Sequence, residues 1–355
     1  MKTGTLQEDA IYIVGAGAQT PVGRSAPATA AAVRCHLSAY AEHPFMFDER
    51  GEPMIVARAQ WLDETFPLVD RIVTLAVDAA QEALRPLGAR AFTLLRQMRV
   101  HLALADETVP NAEQRREILD RVGAGAGLTA ADPAVAPVVE GHAGGLLALE
   151  NAVRQLRQGE APLCLVGGAD SWLSPELLDT LDRAGHLRSP EHRWGFTPGE
   201  GAGFCLLTTG ASARRLGLPP LAELVSVATA RENKLKGTRT ICLGEGLTAA
   251  FRRVLDPRLR VTHSYCDFNG ETYRADEYGF AICRTSECFE NASSFTAAAD
   301  CWGDVGAASG PLALALPIVA WSRGYARGSI NLVWSSSAGS PLRAAALLKD
   351  ATRPD

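Results

Sequence analysis

Two segments of the chain repeat one another, and this duplication restricts the possible folds more than any other feature. The first reads GLLALENAVRQLRQG from Gly145 to Gly159, and the second reads GPLALALPIVAWSRG from Gly310 to Gly324. In each segment an apolar helical pattern runs between two glycines at the same separation, and a strand pattern ending in small residues follows it. We therefore expect two similar halves, residues 1–212 and residues 213–355.

Strand and helix patterns alternate along the chain. Predicted strands cover residues 11–17, 100–106, 133–139 and 162–168, and predicted helices cover residues 69–84 and 144–159. A run rich in Gly and Pro over residues 188–203 predicts a loop, with a strand from residue 204. Such alternation is typical of an α/β fold with a buried sheet.

Composition excludes several classes of ligand and partner. The chain has 355 residues, is 47% hydrophobic and carries a net charge of −5 without a basic stretch, so we expect a globular protein that binds no nucleic acid. No apolar window is long enough for a membrane span and the N-terminal stretch lacks the apolar core of a signal peptide, so we expect no membrane association and a cytoplasmic location. The eight cysteines are scattered without a CxxC pair, which favours reduced thiols over disulfides or zinc. The segment VGAGAQTPVG lacks the GxGxxG spacing, so we expect no dinucleotide cofactor.

The turn before each repeated helix carries a polar residue. His142 lies in EGHAGG before the first helix, and Asp304 lies in WGDVGAASG before the second. If the two segments are duplicates, these residues occupy equivalent helix starts. Two related helix starts would then face one site.

Several motifs together resemble the β-ketoacyl synthase branch of the thiolase-fold condensing enzymes. In chain order they are VGAGAQTPVG, GHAGGLLALENAVRQLRQGEAPLCLVGGADS, GFTPGEGAG, THSYCDFNGE and GDVGAASG. The resemblance implies a thiolase-like five-layer αβαβα fold made of two pseudo-duplicated βαβαβαββ halves. It also implies a homodimer formed through the strand that precedes the nucleophile turn, here residues 133–139.

The same resemblance places the family's catalytic positions on this chain. The nucleophilic cysteine corresponds to His142, the first catalytic histidine to His263, and the second to Asp304. The family's lysine falls on Ala299, and its late phenylalanine falls near Ser337. A condensing enzyme needs a thiolate and two imidazole donors, and a carboxylate at Asp304 would repel the developing enolate, so we expect no condensation activity.

Two features of the predicted site have alternative interpretations. If His142, His263 and Asp304 converge, they form either a ligand set for iron or zinc or a hydrogen-bonded cluster that satisfies polar groups at the helix starts, and we favour the cluster, with no metal. The polar and aromatic segment over residues 266–280 forms either a partner surface or a solvated loop. Since the family's cap between GEGAG and His263 is missing, we also expect any pocket to be shallow and open.

These observations predict a catalytically degenerate protein that acts as a protein-binding scaffold or accessory subunit. Two groups of degenerate thiolase-like proteins resemble it: the chain-length partner of type II polyketide synthases, and shortened proteins that accompany type VI secretion effectors. The DFNGE...RADE stretch, residues 267–277, resembles the second group more closely, so the expected partner is a secretion effector, with a ketosynthase or acyl carrier protein as the other candidate. The alternative is an acyltransferase or thioester hydrolase that uses His142, His263 and Asp304.

Overall fold

The computed structural model describes residues 6–127, 135–235, 238 and 240–352. The strands are β1 Ile11–Gln19, β2 Tyr40–Phe47, β3 Pro53–Ala57, β4 Met98–Leu104, β5 Ala136–Val139, β6 Leu163–Ser171, β7 Glu200–Thr209, β8 Ala222–Arg231, β9 His263–Cys266, β10 Phe295–Ala297, β11 Ile330–Ser336 and β12 Leu342–Asp350. The helices are α1 Ala26–Arg34, α2 Leu68–Leu84, α3 Ala91–Leu94, α4 Ala112–Gly125, α5 Gly144–Arg157, α6 Pro175–Arg183, α7 Gly210–Leu216, α8 Glu245–Val254, α9 Thr272–Cys283, α10 Ala299–Trp302 and α11 Ser309–Ser322.

The strand order repeats between the two halves. The first half has the order β1-β7-β6-β4-β5, and the second has the order β8-β12-β11-β9-β10. In both, the first two pairings are antiparallel and the last two are parallel. The two sets meet where β1 pairs with β8 over Ile11–Ile13. The predicted α/β fold with duplicated βαβαβαββ halves is confirmed, while the division at residue 212 stays a prediction.

Helices α5 and α11 form the central layer of the fold. Each contacts strands of both halves, and their apolar side chains lie in one core that includes residues of both sheets. Helix α2 packs on the outer face of the first sheet and α8 on the outer face of the second. The order helix, sheet, helix, sheet, helix is the five-layer αβαβα arrangement that the motifs predicted. Helix α11 is buried along nearly its whole length because it faces both sheets.

The predicted loop over residues 188–203 ends earlier than expected. Strand β7 begins at Glu200, so Gly201 and Gly203 belong to the strand and not to a turn. A Cβ atom at Gly203 would lie 2.6 Å from the Leu312 backbone nitrogen, so glycine is needed where α11 crosses the strand. Glu200 is fully buried and accepts two hydrogen bonds from Arg71, which is an architectural role.

The remaining predicted elements are close to their observed positions. The helix expected over 144–159 is α5, and the strand expected over 162–168 is β6. The strand expected over 133–139 is present at Ala136–Val139, while residues 133 and 134 lie outside the described residues. Within the described part of the chain, no helix is long and apolar enough to cross a membrane.

Candidate functional site

His142 lies at the turn between β5 and α5. The turn Gly141–Ala143 is a 3-10 helix, and Gly141 starts it with φ of +61°, a conformation that glycine adopts without strain. Ser337, at the end of β11, fixes this turn by accepting a hydrogen bond from the Ala143 N–H (3.0 Å) and donating one to the Glu140 carbonyl oxygen. The His142 side chain is buried as a result.

The second half contains a matching turn, but Asp304 is not the counterpart of His142. The 3-10 turns Gly141–Ala143 and Gly306–Ala308 lead directly into α5 and α11, so Ala307 is the residue equivalent to His142. Asp304 precedes its turn by two residues. The expectation that His142 and Asp304 occupy equivalent positions is therefore wrong: Asp304 lies three residues before the equivalent residue, Ala307. Both side chains nevertheless reach the same site.

The Asp304 carboxylate is the centre of this site. His142 Nε2 lies 2.9 Å from each carboxylate oxygen. Trp172 Nε1 donates to Oδ1 (3.0 Å), Asn269 Nδ2 donates to Oδ2 (2.6 Å), and the Gly306 N–H donates to Oδ1 (2.8 Å). The carboxylate is buried and surrounded by hydrogen-bond donors, the arrangement that stabilises its ionised form.

Each member of the pair favours the charged form of the other. Burial alone would lower the pKa of His142, but the neighbouring Asp304 carboxylate outweighs burial and raises this pKa above its ordinary value. Burial likewise opposes ionisation of Asp304, but His142 and Arg274 hold the pKa of that carboxyl well below its usual range. Both shifts favour the charged form of each partner. The His142 Nε2 atom donates to the ionised Asp304 carboxylate, and a ring nitrogen that donates its N–H has no free lone pair to serve as a nucleophile or a general base.

His263 does not join this pair. It begins β9, where Nδ1 hydrogen-bonds to Ser294 Oγ and Nε2 hydrogen-bonds to Thr296 Oγ1, both at 2.8 Å. None of the hydrogen bonds among the described residues links His263 to His142 or Asp304. Burial and the Arg327 charge lower the pKa of His263 to about 4, so its ring is neutral. Of the three residues expected to converge, only His142 and Asp304 contact one another in the described structure.

Residues after the end of β9 occupy the place expected for His263. A strand advances about 3.3 Å per residue, so the beginning and the end of β9 lie about 10 Å apart. Asn269, in the loop that follows, supplies the contact with Asp304. Sequence reasoning missed the roles of Asn269 and Trp172, although Asn269 lies in the polar segment that it had singled out.

The segment over residues 266–280 is not a solvated loop, while its role as a partner surface stays a prediction. Most of it belongs to α9, and its charged residues Asp267, Arg274 and Glu277 are buried. Arg274 Nη1 pairs with Asp267 Oδ2 at 2.5 Å, and Arg343 Nη2 pairs with Glu277 Oε1 at 2.6 Å. The i, i+3 spacing of Glu271, Arg274 and Glu277 marks one side of a helix and was the signal that could have revealed this.

A buried carboxyl beneath the site ties the two halves together. Asp170, at the end of β6, accepts hydrogen bonds from the Thr108 hydroxyl (2.5 Å) and the Ala307 N–H (2.8 Å). Burial raises the pKa of Asp170 to about 7. Gly306 passes so close that a Cβ atom there would lie 2.0 Å from Asp170 Oδ2, and its φ is +47°. This contact fixes the second turn against the first half.

The space beside Asp304 is small. A cavity of about 10 Å³, lined among others by Asn269, Thr296, Ala299 and Trp302, holds about one water molecule. An open hollow, as the missing cap predicted, lies instead on the other side of the His142 turn; its volume is about 480 Å³ and Glu107, Glu140, Gly141 and Ser340 are among its lining residues. Among the described residues, no group of three or more His, Cys, Asp or Glu side chains is arranged to hold a metal ion.

The duplicated five-layer fold and the paired turns at its centre define a thiolase-like protein of the ketosynthase type. The sequence profile of the β-ketoacyl synthase N-terminal domain matches residues 8–213, more than half of the chain. The chain therefore belongs to the β-ketoacyl synthase family. No curated protein sequence matches it.

Solved structures share the fold at low sequence identity. One is described as AntDE:AntF, a type II PKS acyl-carrier protein in complex with its ketosynthase, with a TM-score of 0.78, 16% identity and coverage of 97% of this chain and 100% of that chain. Another is the ketosynthase from module 6 of the bacillaene synthase of Bacillus subtilis 168, with a TM-score of 0.76, 16% identity and coverage of 96% and 72%. The ishigamide ketosynthase/chain length factor has a TM-score of 0.69, 21% identity and coverage of 96% and 99%. These likenesses establish the fold.

Proposed function

We propose that this chain is a non-catalytic member of the β-ketoacyl synthase family that acts by binding other proteins. The observation that carries the proposal is the ion pair of His142 and Asp304 at the start of α5, where the resemblance places the nucleophile. The His142 Nε2 atom is bonded to both oxygens of a carboxylate, so this nitrogen has no lone pair for attack on a thioester. A cavity that holds about one water molecule also leaves no room for an acyl chain.

Nearby thiols do not replace the missing nucleophile. Cys266 lines the same cavity, but burial raises its pKa far above the ordinary value for a thiol. Burial also raises the pKa of Cys301 to about 11. A thiol in this state is almost entirely protonated at neutral pH and is a poor nucleophile. The alternative, an acyltransferase or thioester hydrolase that uses His142, His263 and Asp304, is disfavoured for the same reasons.

A direct test uses acyl-thioesters. The full chain is incubated with octanoyl-CoA and octanoyl-acyl carrier protein, thiol release is followed, and the intact mass is measured for a covalent acyl adduct. We expect neither release nor adduct. Turnover that disappears in His142→Ala but persists in His263→Ala, whose ring lies outside the pair, would contradict the proposal. Turnover lost only in His263→Ala would contradict it as well.

For the partner, we propose a secretion effector of the type VI system, on the resemblance of the DFNGE and RADE motifs. The acyl carrier protein that accompanies the AntDE ketosynthase makes a carrier protein the second candidate. A pull-down from the source cell with wild-type protein, followed by mass spectrometry, distinguishes them. Recovery of an effector supports the first candidate, and recovery of a ketosynthase or carrier protein rejects it.

We also propose a homodimer through β5. This strand lies at one end of the sheet, and among the described strands it pairs with β4 alone. An open strand edge is a ready surface for pairing with a second strand. Light scattering should give the mass of a dimer for the wild type and of a monomer for Pro137→Asp, which places a charge at an exposed position of β5. A monomeric wild type rejects the proposal.

A further inference from the structure

A basic hollow lies on the outer helical layer of the second half, away from the central layer that holds His142. Its volume is about 500 Å³, and it is open to solvent. The lining residues come from α8 and from the end of α9: Glu245, Thr248, Ala249, Arg252, Arg253 and Arg284.

The shape of the hollow follows from the amphipathic pattern of α8. Glu245, Thr248, Ala249 and Arg252 are spaced i, i+3, i+4 and i+7, so they lie along one side of the helix. The opposite side, with Leu247, Ala250 and Phe251 among its residues, packs into the core. At 1.5 Å per residue, the row from Glu245 to Arg252 is about 10 Å long. The hollow is therefore a trough along a helix, long enough for several residues of an extended peptide.

Backbone contacts hold two of the guanidinium groups in place. Arg284 Nη1 donates to the Leu243 carbonyl oxygen (2.7 Å) and to Thr248 Oγ1 (3.0 Å). Arg253 Nη1 donates to the Thr229 carbonyl oxygen. An arginine has five N–H donors, so an anchored arginine keeps further donors for a ligand and loses less conformational entropy on binding.

The charge of the trough selects its ligand. Three guanidinium groups face one carboxylate, Glu245, and that carboxylate is already 3.5 Å from Lys234 Nζ. This local excess of positive charge belongs to a chain whose net charge is −5. Beside the trough, Phe280 is 36% exposed and its ring centroid lies 5.7 Å from the Arg284 guanidinium carbon. Spaced carboxylates with one apolar side chain complement such a surface.

We propose that this trough docks an acidic peptide segment of a protein partner. A lone phosphate group would occupy one arginine fork, whereas three arginines, two of them anchored, beside an exposed aromatic ring match a peptide that carries several Asp or Glu residues. The inference deepens the proposed binding role and rests on it, but it involves neither His142 nor Asp304.

The test measures the binding of a defined probe to the full chain. A fluorescein-labelled peptide of about ten residues, rich in Glu and carrying one Phe, is titrated with wild-type protein and followed by fluorescence anisotropy. We expect saturable binding that weakens as salt is added, because the contacts are charged and exposed. The Arg252→Glu variant should bind at least about tenfold more weakly. Arg252 is exposed, so this change should leave folding intact, which circular dichroism checks.

A matched control separates the trough from general charge. Arg116→Glu makes the same charge change at an exposed position of α4 and should bind the peptide like the wild type. Equal weakening by Arg116→Glu, equal binding of a peptide with Gln in place of Glu, or full displacement of the peptide by inorganic pyrophosphate would each overturn the inference. Turnover of acyl-thioesters with intact, Arg252-dependent binding would reject the proposed function alone. A wild-type protein that neither binds the peptide nor turns over acyl-thioesters would reject the inference about the trough and leave the proposed function standing.

Discussion

His142 and Asp304 join the two halves of the chain through one buried ion pair. The histidine belongs to the first half and the aspartate to the second, and His142 Nε2 lies 2.9 Å from both Asp304 carboxylate oxygens. Asp304 keeps three further donors, whereas the His142 Nδ1 atom makes no hydrogen bond among the described residues. The pair therefore links the two halves, and the loss of each member should differ in cost.

Removal of the Asp304 carboxylate should be the more damaging change. Asp304→Ala leaves a buried imidazole without its partner and three further donors without an acceptor, so the free energy of unfolding should fall by about 3–5 kcal/mol. His142→Ala leaves the carboxylate with its other donors and should cost less. Urea denaturation of both single variants and the double variant checks this. A coupling energy near zero in that cycle would show that the two residues do not interact.

The two buried histidines should respond to pH in opposite directions. The pKa of His142 is raised in the folded protein, so its stabilising contribution is complete below about pH 6.5 and is lost as the pH rises through the raised value. The pKa of His263 is lowered to about 4 by burial and by Arg327, so the folded protein should lose stability as the pH falls from about 6.5 toward 4. To measure both effects, the Tm of the wild type, His142→Gln and His263→Gln is recorded from about pH 4 to alkaline pH. If the Tm difference from wild type changed with pH in the same direction for both variants, the predicted opposite responses of the two histidines would be wrong.

Gly306 should tolerate no side chain. Gly306→Ala combines a φ of +47° with a Cβ atom 2.0 Å from Asp170 Oδ2, and it should lower the free energy of unfolding by more than about 2 kcal/mol. Gly324→Ala is the matched control, since Gly324 has a φ of +71° and no heavy atom lies within 4 Å of the position that the added methyl group would take. That variant should cost only about 1 kcal/mol, the strain of the left-handed conformation. Equal costs would mean that Asp170 moves aside freely.

Thiol labelling should distinguish the exposed cysteines from Cys266, which lines the cavity beside Asp304. Cys35 and Cys283 are exposed and free, so a disulfide reagent should modify them first under native conditions. Cys266 is buried with a raised pKa and should react only on unfolding, with Cys205 as a buried control away from the cavity lining. Peptide mass mapping after timed labelling gives the order. Fast modification of Cys266 would indicate that the cavity opens to solvent, against the proposed function.

The order of helices and strands and the duplication could be predicted from local sequence patterns. The glycine-bounded helices, their following strands and the polar residues at the two turns are visible in the sequence because apolar periodicity depends on neighbouring residues. The resemblance to β-ketoacyl synthases added the layer arrangement, which the strand order and the match over residues 8–213 support. The place of His142 at the start of α5 follows from the same local signals.

The partners of each charged residue depend on tertiary structure. The family resemblance placed His263 in the site, but this ring lies at the start of β9, away from Asp304, and Asn269 in the loop after β9 contacts Asp304 instead. The pairing of Glu277 with Arg343 joins residues distant in sequence, so no local pattern predicts it. The sequence by itself thus determined the repeated α/β order and the location of His142. The direction of its pKa shift was decided only by the fold, because burial and a carboxylate from the other half act on the ring together.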